Sequence, residues 1–195
     1  MSKLGKTMSW TIGGFVVFII IIVFIITWLY PYSPFSLNKN YAYQPDKELF
    51  NGKSYKEILS EFKDSYEKDL KSLDSKHPNL TIYRTQDVLP IFEQEWIISK
   101  DAVSINDMKL ETMLREVKQA REVLLDLLVH TDYTSEQRGY VIDMIRNVLI
   151  LEDSIIEIKT DNYMTRSELD RQLDNLYGEF VSNLRFFVTC YDRVK

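Results

Sequence analysis

From Trp10 to Tyr30 the chain runs through 21 residues that are almost wholly apolar, inside a longer stretch from Thr7 to Asn38 without a charge. At about 1.5 Å of rise per residue such a helix matches the roughly 30 Å hydrocarbon thickness of a bilayer. The segment from Phe15 to Ile26 holds only Phe, Val and Ile, too greasy a surface for a helix in water. Trp10 stands at one end, with Trp28 and Tyr30 at the other, where amphipathic rings mark the two membrane interfaces. The span is expected to remain attached. Its apolar run exceeds the core of a typical signal peptide, and Thr27-Trp-Leu-Tyr-Pro-Tyr32 offers no small-x-small cleavage site. No cysteine follows the run closely enough for a lipoprotein signal.

Four regions follow from this feature: a short cytoplasmic tail (1–8), a transmembrane anchor (9–30), a proline-containing tether (31–53) and a helical-bundle domain (54–195). Lys3 and Lys6 precede the span without an acid. Beyond it, Lys39 and Lys47 are accompanied by Asp46 and Glu48. Counting basic residues places the tail in the cytoplasm and the domain outside it. Ser9 and Gly13 form one small-xxx-small pair, which by itself says little about helix pairing.

Pro31, Pro34 and Pro45 forbid a continuous helix through the tether and favour an extended chain. Its Tyr41 and Tyr43 suit either the membrane interface or packing onto the domain, and the sequence does not choose. At Ser54 the pattern becomes helical. Ser54-Tyr-Lys-Glu57 reads as a capping box, followed by apolar residues at Tyr55, Ile58, Leu59, Phe62, Tyr66, Leu70 and Leu73. An extended piece is expected over 80–84. A second helix is then expected, capped by Asp87 with Pro90 in its first turn, and with Leu89, Phe92, Trp96 and Val103 turned inward. Ser104-Ile-Asn-Asp107 opens a third helix, with Met113, Leu114, Val117, Ala120, Leu124 and Leu127 on its stripe; the pattern leaves open whether it joins the second. Thr134-Ser-Glu-Gln137 and Thr165-Arg-Ser-Glu168 cap a fourth and a fifth. Their short connections predict antiparallel neighbours. The fold class expected is all-α: one transmembrane helix, then an antiparallel bundle of four or five helices with coiled-coil-like seams.

Chemistry is scarce. Two histidines, His77 and His130, lie beside helix ends, where the helix dipole favours them. Asp74 and Asp126 precede them closely, but the paired Glu-x-x-His pattern of a di-iron bundle does not occur. A single cysteine, Cys190, rules out an intrachain disulfide and a thiolate zinc cluster; a disulfide between two copies stays open. There is no G-x-S-x-G elbow, Walker A loop or G-x-G-x-x-G turn. Asn79-Leu-Thr81 is a glycosylation sequon of low specificity. No cofactor or metal is expected. The net charge is −5 and every acid lies beyond the apolar span, so the domain has no electrostatic pull toward nucleic acid or anionic lipid.

These observations favour a non-catalytic interaction or scaffolding protein of a cell-envelope complex. Its partners are the bilayer and one or more proteins, self-association included. Phe180, Phe187 and Tyr191 on the last helix form the candidate partner surface. A ligand-sensing ectodomain working through a separate transducer is the alternative, and an immunity-type protective protein a further one.

Overall fold

The three capping boxes form as the sequence spacing requires. The Ser54, Thr134 and Thr165 side chains accept from the amides of Glu57, Gln137 and Glu168, whose side chains reach back to the cap backbone. Each closes orphan donors at a helix start. In the computed structural model, residues 3–45, 52–73 and 79–195 are described, with the side chains of the first helix from residue 12 onward. Asp74, His77 and the Trp10 ring lie outside that description.

In chain order the elements are α1 (Lys3–Leu29), β1 (Tyr41–Tyr43), α2 (Tyr55–Lys71), α3 (Leu80–Val88), a 3-10 turn (Leu89–Phe92), α4 (Glu95–Ile98), β2 (Val103–Ile105), α5 (Asp107–His130), α6 (Ser135–Thr160) and α7 (Arg166–Val194). The class is all-α. Within α1, Ile12–Leu29 has a mean hydropathy of 3.0 with none of it buried. It is long and apolar enough to cross a membrane.

The long helices α5, α6 and α7 pack in sequence, with α3 laid on α5 and α2 on α7. Turns of a few residues make α5–α6 and α6–α7 antiparallel. Leu110, Val117, Leu151, Ile155, Leu169, Leu173, Leu176 and Leu184 are closed to solvent between them. Aromatic rings fasten the shorter elements to α7. Phe62 meets Tyr191 edge-on at 5.2 Å, Phe92 meets Phe187 at 5.4 Å, and Trp96 meets Phe180 edge-on at 5.4 Å. Such pairs contribute about 0.5–1.5 kcal/mol each beyond the area they bury. Glu152, almost buried on α6, pairs with Arg121 of α5 and lies 3.8 Å from Lys118.

Three local expectations are corrected. The stretch 80–84 is helical, because Asn79 rather than Asp87 supplies the cap, accepting from the Ile82 amide. Burial of Ile82, Thr81 and Thr85 then outweighs the β-branched character of the sequence. Pro90 does not open a long helix. Lacking an amide hydrogen, it sits within the 3-10 turn after α3 has ended. Finally, Ser104 is not a cap: it lies in β2, and Asn106 caps α5 by accepting from Lys109. The second and third helices are therefore separate.

The segment after α1 is more structured than a free tether. Among the described residues β1 and β2 form the one sheet, antiparallel, with Tyr41 opposite Ile105 and Tyr43 opposite Val103. Period-two alternation turns both tyrosines inward and Ala42 outward.

Candidate functional site

Two features of the surface stand apart from ordinary packing: the strap that joins α1 to the bundle, and a groove on the outer face of α6 and α7.

The strap begins where α1 ends. Tyr30 still donates to the Ile26 carbonyl, Ser33 donates to Tyr30, and Ser36 donates to Ser33. These tight turns carry the chain back on itself, so the Leu37 amide donates to the Thr27 hydroxyl at 3.0 Å, ten residues earlier. Pro31, Tyr32 and Ser33 are buried against the bundle, and the Tyr32 hydroxyl donates to the Ile105 carbonyl at 3.1 Å. Tyr41 donates to Asp170 at 2.6 Å and Tyr43 to Asp174 at 2.8 Å. Those two acids are one turn apart on α7, matching the rise of alternate strand residues. Tyr43 also packs on Trp96, with ring centres 6.0 Å apart.

Arg166, the first residue of α7, holds the two ends together. Its guanidinium carbon lies 4.7 Å from the Trp28 ring centre and 5.1 Å from that of Tyr41. Burial and the hydrogen bond to Asp170 push the Tyr41 phenol up to about 12. Burial, then the Asp174 hydrogen bond, raise Tyr43 further. Both phenols therefore stay protonated and keep donating. Of the expected interface rings, Trp28 is exposed apart from its Arg166 contact, and Tyr30 is half-buried.

The groove has a volume of about 850 Å³ and lies between the middle turns of α6 and α7. Ile150, Val181 and Phe186 give it apolar walls; Asn147, Asn175 and Glu179 give it polar ones. Gly178 lines it too, and a Cβ built there would meet nothing within 4 Å. Alanine at a helix interior is favoured over glycine by about 1 kcal/mol, so the open space is kept at a cost to the helix. Glu179 has one carboxylate oxygen buried without a hydrogen-bond partner. Burial raises its carboxyl above the ordinary value; a Ser154 hydrogen bond offsets part of that, and Glu157 adds a smaller upward push.

Phe180, Phe187 and Tyr191 do not belong to a partner surface. They are 0%, 6% and 2% exposed, turned inward onto Trp96, Phe92 and Phe62. The reason is the short elements laid on α7: Phe62 of α2, Phe92 of the 3-10 turn and Trp96 of α4 cover the face that three packed long helices alone would leave open. On the same helix Phe186, one residue round, faces the groove. Spacing of three and four puts Phe180, Leu184, Phe187 and Tyr191 on one stripe of α7 and Phe186 off it, but spacing does not tell whether that stripe is sealed within the chain or left for a partner.

His130 is exposed, its Nδ1 2.9 Å from an Asp126 carboxylate oxygen. Arg84 stands 3.6 Å from the same aspartate. Among the described residues no group of three or more His, Cys, Asp or Glu side chains is placed to hold a metal ion. Cys190 is buried, and burial raises its thiol to about 11, so a disulfide between copies would first require the end of α7 to open. Arg166 and Glu179 were missed by the sequence reading. The alternation Tyr41-Ala-Tyr43 was the local sign of a strand, but nothing local pointed to its partner 60 residues away. Compared with protein-family models, curated proteins and solved structures, the chain finds no match.

Proposed function

We propose that this protein is a membrane-anchored, non-catalytic interaction or scaffolding component of a cell-envelope complex. In this reading α1 spans the membrane, the bundle lies outside the cytoplasm, and the α6–α7 groove receives a protein partner or a second copy. The observation that carries it is the groove: apolar walls at Ile150, Val181 and Phe186, floored by a mid-helix glycine with open space above it. The lining carries Glu157, Asp174 and Glu179 against one cation, Arg185, a balance that suits a partner segment bearing amides or basic side chains. The strap supports the reading by holding the bundle at a set position beside α1.

A photo-crosslinking residue at position 150, with one at the distant exposed position 129 as control, tests this in native membranes. A discrete adduct at 150, abolished by Gly178→Leu in a variant that melts like the parent, is expected. Equal labelling at both positions, or an adduct indifferent to Gly178→Leu, would overturn the groove as the contact face. Protease added outside intact cells should digest the bundle; protection until lysis would reverse the orientation.

The buried, unpartnered oxygen of Glu179 favours a second reading, a ligand-binding ectodomain with the same groove as its site. There Glu179→Gln abolishes function while position 150 yields no protein adduct.

A further inference from the structure

The turns after α1 place apolar side chains where a mere linker would carry polar ones. Phe35 is 67% and Leu37 73% exposed, and between them Ser36 folds its hydroxyl onto the Asn38 carbonyl. Pro31, Tyr32 and Ser33, just before, are buried in the bundle. The segment thus has two faces: one packed on protein, the other apolar and uncovered.

Its height is fixed relative to α1. The Leu37 amide reaches the Thr27 hydroxyl, two residues before the end of α1, so the chain has turned back by about 3 Å along the helix axis. Leu37 therefore stands level with the last turn of α1, which carries the exposed Trp28 and Leu29. The Arg166 contact with Trp28 brings the start of α7 to the same level. Three residues earlier lies Tyr163, 74% exposed, its amide donating to Asp161.

We propose that Trp28, Phe35, Leu37 and Tyr163 form an apolar seat that enters the interfacial layer of the bilayer, so that the bundle rests on the membrane instead of hanging from it. The occupant is lipid because the patch is continuous with α1; this rests on the reading of α1 as a membrane span. Apolar and aromatic rings at this depth gain by leaving water, and Trp and Tyr favour the headgroup level. Charge does not drive the seating: at this end Asp107, Asp161, Glu168, Asp170 and Asp174 are matched by Lys39, Lys109, Lys159, Arg166 and Arg171, so there is no basic patch for anionic lipid. The antiparallel helices then stand with the α5–α6 turn farthest from the lipid. The 24 residues of α5 separate the two ends by roughly 36 Å.

The full chain carrying Cys190→Ala, reconstituted into phosphatidylcholine vesicles, gives the test. A nitroxide is placed in turn at positions 25, 35, 37 and 129, and its accessibility to oxygen is compared with that to a neutral nickel chelate. Position 25, exposed within α1, reports lipid; position 129, at the far end of α5, reports water. The oxygen-to-nickel ratio at 35 and 37 should exceed that at 129 several-fold and approach that at 25. It should stay unchanged when phosphatidylglycerol replaces part of the phosphatidylcholine. Ratios at 35 and 37 equal to that at 129, with 25 still in lipid, would overturn the seat alone. A watery ratio at 25 would overturn the membrane span and the seat with it. A rise that appears only with phosphatidylglycerol would show headgroup charge at work and sink the apolar mechanism.

Discussion

The guanidinium of Arg166 lies over the ring of Trp28, 4.7 Å from its centre, and so ties the first residue of α7 to the last turn of α1. The same group reaches Tyr41 at 5.1 Å. One side chain thus joins α1, β1 and the bundle. A cation over an aromatic face contributes about 0.5–1 kcal/mol where water has access and more where it is excluded.

Removing that clamp should loosen the strap without unfolding the bundle. In Arg166→Ala, amide exchange of Tyr41–Tyr43 and Val103–Ile105 should accelerate severalfold, while that of core amides in α5, such as Val117, stays at the parent rate. Uniform acceleration across both regions would mean that the strap and bundle open as one unit.

The strap should also stabilise the bundle when α1 is absent. Tyr32, Tyr41 and Tyr43 are at most 6% exposed, and each fully buried large side chain contributes about 1.5–3 kcal/mol before the entropy of ordering is subtracted. Residues 31–195 should be soluble and mainly helical. Residues 54–195 should melt about 5 °C lower or more, at roughly 2–4 °C for each kcal/mol lost. Equal melting temperatures would show the tyrosines to be passengers.

Alkaline pH offers a reversible release of the strap. Tyr41 is raised to about 12 by burial and by its hydrogen bond to Asp170, against about 10 for an unfolded tyrosine. A raised folded value means that the stabilisation is complete below pH 10 and lost as pH climbs through 12. Near-ultraviolet tyrosine signals and the thermal stability that the strap adds should therefore fall across that window. In Tyr41→Phe, which has no phenol to ionise, the Tyr41 contribution to that dependence should vanish. A mutant with the same pH profile as the parent would assign the release to another group.

How much of this was legible beforehand depends on the range of the interactions concerned. The apolar span, the three capping boxes and the stripes of α2, α5, α6 and α7 are written in residues three or four apart, and all appear as elements. The strap depends on pairings of Tyr41 with Asp170 and of Tyr43 with Asp174, more than 120 residues distant, which no local pattern encodes. The partner surface failed for a related reason. Spacing places Phe180, Phe187 and Tyr191 on one stripe of α7, but only the distant Trp96, Phe92 and Phe62 decide that this stripe is sealed inside the chain.

Glu179 links stability to the groove in a way that separates folding from function. Its folded value lies above the ordinary carboxylate value, chiefly through burial, so ionisation favours the unfolded chain. The stability of the un-ionised form is complete at acid pH and is lost as pH rises through the folded value. Glutamine keeps the shape and removes the charge. Glu179→Gln should therefore melt higher than the parent at pH 7, and the advantage should shrink as pH falls and the glutamate takes up its proton. An advantage independent of pH would trace instead to a new amide contact with the orphaned position. If the groove binds a basic or amide-bearing segment, the same substitution should weaken the position-150 crosslink even as it raises the melting temperature. A residue kept at a cost to the fold and needed for capture is the signature expected of a binding surface, since packing alone would move both readouts in one direction.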